Sequence, residues 1–266
     1  MRLTVYQVDA FVADGLQGNP AGVCITNAPL NSDIMQRIAS DVGLSETAFL
    51  ALDSMQLRWF TPKVEVNLCG HGTLATAHLL HELRLLTSQD MTFHTLSGEL
   101  NASIGQHGIS LIFPAAELIA CQQLDARLLE YLGIAINDVV YSAMFGAKQL
   151  IVLADEQQVL RLSPNFSGLA SLVGRGVVVT AKSQHPQFDI VSRYFAPWVG
   201  VNEDPVTGSA HCALAVYWCD VFAKPILHAW QASPQGGAVT MALHDNHQVQ
   251  LVGQARTITQ AQFEAL

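Results

Sequence analysis

Positive charge is scarce in this chain of 266 residues: 13 lysines and arginines, none in a run, stand against 22 aspartates and glutamates, for a net charge of −9. Binding a phosphate backbone needs clustered Lys and Arg, so neither nucleic acid nor anionic membrane is an expected partner. Charged residues make up only 13% and hydrophobic ones 50%, the balance of a chain that buries a core rather than a disordered one. Long apolar runs are also missing, the longest being broken well short of a bilayer span. The N-terminus, Arg2-Leu3-Thr4-Val5-Tyr6-Gln7-Val8, alternates like a strand and does not read as a signal peptide. Cysteine is limited to five residues, an odd number with no Cys-x-x-Cys pair, which argues against a disulfide framework, a zinc knuckle or a dithiol redox centre. A cytoplasmic protein is the expectation. Cys24, Cys121, Cys212 and Cys219 lie in apolar surroundings and are expected to be small buried hydrophobes. Gly70-x-Gly72 lacks the third glycine of a dinucleotide fingerprint, and no phosphate-binding loop occurs anywhere.

What is present is a repeat. Arg58-Trp59-Phe60-Thr61-Pro62 is echoed half a chain length later by Arg193-Tyr194-Phe195-Ala196-Pro197. Each echo is followed by a glycine turn that opens an apolar segment, Cys69-Gly70-His71-Gly72-Thr73 in one case and Thr207-Gly208-Ser209-Ala210-His211 in the other. Two similar halves are therefore expected, which suits a length of about 1.8 domains. The boundary is placed near Pro114-Ala115-Ala116, dividing 1–114 from 115–266, with room for the last residues to pack back on the first half. Apolar residues surround the segments 72–83 and 208–222 instead of keeping to one face, so each is predicted to be a helix buried on nearly all sides. Short Val, Ile, Thr and Phe runs (91–93, 100–104, 109–113, 177–180, 249–252) supply strands around them. The expected class is α+β, a barrel-like sheet around a central helix, made twice. A surface helix is predicted after Asn31, with Ile34, Ile38 and Val42 on one face and Gly43 ending it. Residues 57–66 read as one strand, with Glu46 at the start of the strand before it. His78 and His81, lacking an acidic or cysteine partner in the pattern, are expected to be packing residues.

Glycine at a helix start lets a ligand approach free N–H groups that carry the positive end of the helix dipole. A cleft between the halves, faced by two such starts, would hold a small anionic substrate or a developing carbanion. Glu46, His71 and Asp204 are the titratable groups beside them. Spacing alone leaves other readings open: Glu46 as an exposed strand-end carboxylate, Asp204-Pro205 as a helix cap with proline at its first position, and His71 as a cap without chemistry.

Taken in order, Asp9-Ala10-Phe11, Gly18-Asn19-Pro20-Ala21, Ser45-Glu46-Thr47-Ala48-Phe49, Arg58-Trp59-Phe60-Thr61-Pro62, Leu68-Cys69-Gly70-His71-Gly72-Thr73 and Glu203-Asp204-Pro205-Val206-Thr207-Gly208-Ser209-Ala210-His211 resemble the PhzF-like isomerases of phenazine biosynthesis, relatives of the diaminopimelate epimerase fold. The likeness spans nearly the whole chain. It implies an isomerase in which Glu46 takes a proton from one carbon and returns it to another without metal, pyridoxal phosphate or flavin. By the same resemblance His71, Asp204 and Ser209 hold and polarise the substrate or shuttle protons, while Asn19, Ser45, Gly70, Gly72, Thr73, Thr207 and Gly208 bind it. A homodimer is expected. Two positions depart from the family pattern: Gly72, where alanine or proline is common, and Gln235, where the family carries arginine. Two further readings stay in play, a cysteine-dependent racemase or epimerase using Cys69 and a non-catalytic small-molecule binder of the same fold.

Overall fold

The computed structural model describes residues 2–264. Its contacts divide the chain into two units, one running from the N-terminus to Phe113 together with the chain from Gln250 onward, the other Pro114–Val249. In chain order the first contains β1 (Arg2–Val12), β2 (Asn19–Thr26), α1 (Ser32–Val42), β3 (Thr47–Ala51), β4 (Gln56–Phe60), β5 (Glu65–Val66), α2 (Gly70–Glu82), β6 (Asp90–Thr95), β7 (Gly98–Gly105) and β8 (Gly108–Pro114). The second contains β9 (Ile119–Ala120), α3 (Ala126–Leu132), β10 (Val139–Phe145), β11 (Lys148–Leu153), α4 (Glu156–Leu160), α5 (Phe166–Ala170), β12 (Gly176–Lys182), β13 (Ile190–Ala196), β14 (Val201–Asp204), α6 (Gly208–Phe222), β15 (Ile226–Gln231) and β16 (Gly237–His244); the last strand is β17 (Gln248–Glu264).

The first unit is a closed barrel. β1 pairs antiparallel with β2, β2 parallel with β3, β3 antiparallel with β4, and β4 parallel with β6 through Gln56 and His94. β6, β7 and β8 form an antiparallel meander, and β17 closes the ring by pairing with β8 on one side and β1 on the other. Helix α2 contacts β1, β2, β3 and β7. Leu74, Ala75, Ala77, Leu79 and Leu80 are all fully buried there, which is why no polar face shows in its sequence. The second unit repeats the order of pairing: β10–β11 antiparallel, β11–β12 parallel, β12–β13 antiparallel, β13–β15 parallel and β15–β16 antiparallel. Helix α6 sits between β14 and β15 as α2 sits between β5 and β6, with Ala210, Ala213, Leu214 and Ala215 fully buried.

The echoed segments are β4 and β13, and their arginines do the same work. Arg58 donates through Nε and Nη2 to the two carboxylate oxygens of Glu65, both at 2.7 Å, and its guanidinium lies 5.2 Å from the Phe60 ring centre. Arg193 forks onto Glu203 at 2.7 and 2.8 Å and lies 5.0 Å from the Phe195 ring centre. Registers match too, Phe60 opposing Glu65 and Phe195 opposing Glu203. Each fork ties a short strand to the barrel wall just before the buried helix begins.

Local expectations hold with adjustments. Asn31 caps α1 by accepting from Asp33 N, and Gly43 ends it in the left-handed region at φ 69°. Its buried face is Met35, Ile38 and Ala39, with Ile34 and Val42 at the margins. The segment 57–66 is not one strand: Thr61 Oγ1 accepts from Lys63 N and Val64 N, making a turn around Pro62 that separates β4 from β5. α2 starts at Gly70, two residues before the predicted 72. His78 does have an acidic partner, Glu82 at 3.4 Å one turn on, and His81 is exposed rather than packed. Cys121 is only half-buried, its sulfur accepting from Gln149 Nε2, unlike the buried Cys24, Cys212 and Cys219. Among the described residues no helix is long and apolar enough to cross a membrane.

Candidate functional site

In the first unit the loop before β3 and the first turn of α2 bring together the residues that sequence singled out. Cys69 is the N-cap of α2, its sulfur accepting from Gly72 N at 3.3 Å. Thr73 Oγ1 donates to the Cys69 carbonyl at 2.7 Å, and Thr76 Oγ1 to that of Gly72 at 2.7 Å. His71 therefore sits one residue inside a pinned turn, buried, and is not the cap. Its Nε2 lies 3.4 Å from Glu46 Oε2 and 3.5 Å from Ser45 Oγ; its Nδ1 lies 3.5 Å from Cys69 Sγ. The Glu46 side chain is 23% exposed and that of His71 only 8%, so a carboxylate with access to water meets an enclosed imidazole. Glycine at 72 has a packing reason. A Cβ there would lie 3.0 Å from Cys69 Sγ and 3.0 Å from Trp59 Cδ1, filling the space those two side chains use. Asn19 is fully buried as the first residue of β2, opposite Ala10.

The placement of Glu46 depends on a second glycine. Gly22 N donates to the Glu46 carbonyl at 3.0 Å, and a Cβ on Gly22 would come within 2.7 Å of Thr47 Oγ1, in a side chain that is fully buried. Gly22→Ala is expected to push β3 off β2 and carry Glu46 with it. The outcome to measure is a loss of about 1–3 kcal/mol in urea unfolding; full stability would show that the strand edge accommodates the methyl.

The second unit gathers its own polar set. Thr207, not Asp204, is the N-cap residue of α6; Asp204 ends β14, and its carboxylate accepts a hydrogen bond from Thr207 Oγ1. Gln231 straps this turn, donating to the Asp204 carbonyl at 2.6 Å and accepting from Thr207 N at 2.9 Å. Ser233 Oγ donates to the Pro205 carbonyl at 2.9 Å. Ser209, exposed one residue into the helix, accepts from Lys148 Nζ at 2.6 Å. Burial, aided by Arg175, holds the Lys148 ammonium below the usual lysine range, opposed by Cys212 and Asp204. Gln231 was legible as the first residue of the Gln231-Ala232-Ser233-Pro234-Gln235-Gly236-Gly237 segment. Lys148, in a hairpin after Phe145-Gly146-Ala147, carries no sequence signal at all. Gln235 is exposed.

His211 lies deeper in the same helix, fully buried, with Nδ1 donating to the Thr207 carbonyl at 2.8 Å and Nε2 lacking a hydrogen-bond partner. Burial lowers its pKa from 6.5 to about 4. The unfolded chain thus takes up a proton that the folded chain refuses, so this contribution to stability is full above about pH 6.5 and is lost as pH falls toward 4, by up to about 1.4 kcal/mol per pH unit. Urea unfolding stepped from pH 7 to 4.5 is expected to show a shallower acid slope for His211→Gln than for the wild type; coincident slopes would contradict the assignment.

The repeat also shows which groups are not duplicated. Thr47 opposes Phe60 and Val177 opposes Phe195, so with the echoes aligned the counterpart of Glu46 is Gly176. The counterpart of Cys69 at the helix cap is Thr207. Carboxylate, thiol and imidazole converge in the first unit only, as the one such three-donor group among the described residues.

A closed barrel around a buried helix, with an acid, a thiol and an imidazole at that helix's first turn, defines a mixed α+β protein of the diaminopimelate epimerase-like fold. The model of the phenazine biosynthesis-like protein family matches residues 8–261, and the chain belongs to that family. It is 44% identical over 267 residues to an uncharacterized isomerase of Halalkalibacterium halodurans, covering 99% of each chain. To an uncharacterized isomerase of Pseudomonas aeruginosa it is 46% identical over 239 residues, 89% of this chain and 90% of the other. A crystal structure of a PhzF family protein from Enterococcus faecalis superposes with a TM-score of 0.92 at 35% identity, over 100% of both chains.

Proposed function

We propose that this protein is an isomerase that moves a proton between carbon positions of a small carboxylate substrate, with Glu46 as the acid and base and no cofactor. The observation that carries the proposal is the Glu46 carboxylate held 3.4 Å from the buried His71 at the start of α2. A carboxylate with one side to water and one to a fixed imidazole can accept a proton, keep it, and return it elsewhere. His71 orients that carboxylate and polarises the site beside the substrate, and the N–H groups at the helix start would meet charge as it develops. Ser45, Gly70, Gly72 and Thr73 are the contacts proposed around it, with Asn19 at the adjoining strand. Asp204, Thr207, Gly208 and the Ser209 and Lys148 pair are proposed as a polar set of the second unit, with Lys148 its cation toward an anion. Both relatives named above are called isomerases, which supports the class.

The two-thiol racemase is disfavoured, because the cap matching Cys69 is Thr207 and because burial pushes the thiol of Cys212, the nearest cysteine beyond it, up to about 12. The test is proton NMR of the wild-type protein with amino acids, hydroxy acids and unsaturated carboxylates in deuterated buffer. One substrate class is expected to lose a C–H signal. No exchange across the panel would remove the isomerase reading and leave a binding protein.

A further inference from the structure

Glu46, Cys69 and His71 offer a carboxylate oxygen, a thiol sulfur and an imidazole nitrogen, all within 4.8 Å of one another. Glu46 and His71 stand at the separation of two ligands on a tetrahedral ion, and Cys69 Sγ, now 3.5 Å from Nδ1, would move slightly toward Nε2 to complete it. At zinc bond lengths of about 2.3 Å to sulfur and about 2.0–2.1 Å to nitrogen or oxygen, pairs of ligands lie about 3.3–3.6 Å apart. Here His71 Nε2 is 3.4 Å from Glu46 Oε2 and 3.8 Å from Cys69 Sγ. Cys69 and His71 are set by the pinned first turn of α2, and Glu46 by the backbone bond from Gly22, so the three donors are preorganised on two anchored segments. Thiolate and carboxylate together would balance a dication, and Gly72 N donates to the sulfur at 3.3 Å, fixing its place at the helix start. The Glu46 side chain, 23% exposed, opens the donors to solvent, from which a fourth ligand would come.

We propose that Glu46, Cys69 and His71 form a zinc-binding site, with the thiol proton released to solvent, and that zinc bound there switches off proton transfer by occupying the Glu46 carboxylate. The binding half stands on the donor geometry; the inhibitory half rests on Glu46 being the acid and base. Zinc here is an inhibitor competing with the reaction, whose own chemistry remains that of the side chains.

Cobalt(II), added to the full-length protein without substrate, serves as the coloured stand-in. Wild type is expected to give a thiolate-to-cobalt charge-transfer band and the intense visible bands of a tetrahedral site, both bleached by zinc. Cys69→Ser is expected to abolish the charge-transfer band, and His71→Asn to weaken zinc, measured by competition, by more than the roughly 10- to 100-fold that losing a ligand's supporting hydrogen bond costs. Cys121→Ser, altering the half-buried cysteine elsewhere, is expected to keep the spectrum. No band in the wild type, or a band surviving Cys69→Ser, overturns the site. Zinc is also expected to stop C–H exchange and a chelator to restore it; a cobalt band with exchange undiminished by zinc would overturn the inhibition while leaving the binding. A band from a protein that exchanges no substrate would count against the isomerase reading instead.

Discussion

Glu46→Gln is expected to slow solvent-deuterium exchange into the substrate by roughly 10²- to 10⁴-fold, the range that positioned acid–base groups contribute. The amide keeps the size and the backbone bond of the original, including the Glu46 carbonyl that accepts from Gly22. What it loses is the ability to hold a transferred proton. Because the side chain keeps some contact with water, no buried charge is stranded by the change, and stability is expected to move by no more than about 0.5 kcal/mol. Exchange rate and urea midpoint should therefore separate cleanly. Equal exchange by wild type and variant would mean that Glu46 is not the base, and attention would pass to Cys69.

Removing Glu203 is expected to be the most damaging structural change. The Arg193–Glu203 fork is 12% and 11% exposed, and Arg193 Nη1 also donates to the Leu162 carbonyl at 2.7 Å. Glu203→Ala leaves that guanidinium enclosed without its carboxylate, a loss of about 3–5 kcal/mol, or roughly 10–18 °C in melting temperature for a unit of this size. Its repeat partner makes an internal control. The Arg58–Glu65 fork has the same geometry but is 19% and 24% exposed, so water relieves the orphaned arginine in Glu65→Ala and the loss should be smaller. Equal or reversed losses would show that burial does not set the difference.

The two forks also explain why the repeat could be seen. Arginine and an aromatic two residues on recur because each pair must place a guanidinium on a ring and a carboxylate at matched register, a local requirement that survives as a short string. The buried helices were legible for a similar reason, since a helix enclosed by a barrel has no polar face to show. Glu46 at a strand start and the α1 caps follow from neighbouring residues alone. By contrast, splitting of 57–66 into two strands was set by the Thr61 hydroxyl, whereas the pairing of His78 with Glu82 one turn on was legible as helical i,i+4 spacing and was missed.

Sequence by itself determined the two similar halves, the α+β class, the family and the residues worth watching, because each is written in contiguous strings where local periodicity and caps act. Only the tertiary structure decided that β17 closes the barrel against β1 and β8, that Lys148 reaches Ser209, and that Glu46, Cys69 and His71 share one corner of the first unit while the second has glycine and threonine in place of the acid and the thiol. Those relations join residues far apart in the chain. Their partners are selected by which strands lie side by side in the barrel, and no window of sequence carries that choice.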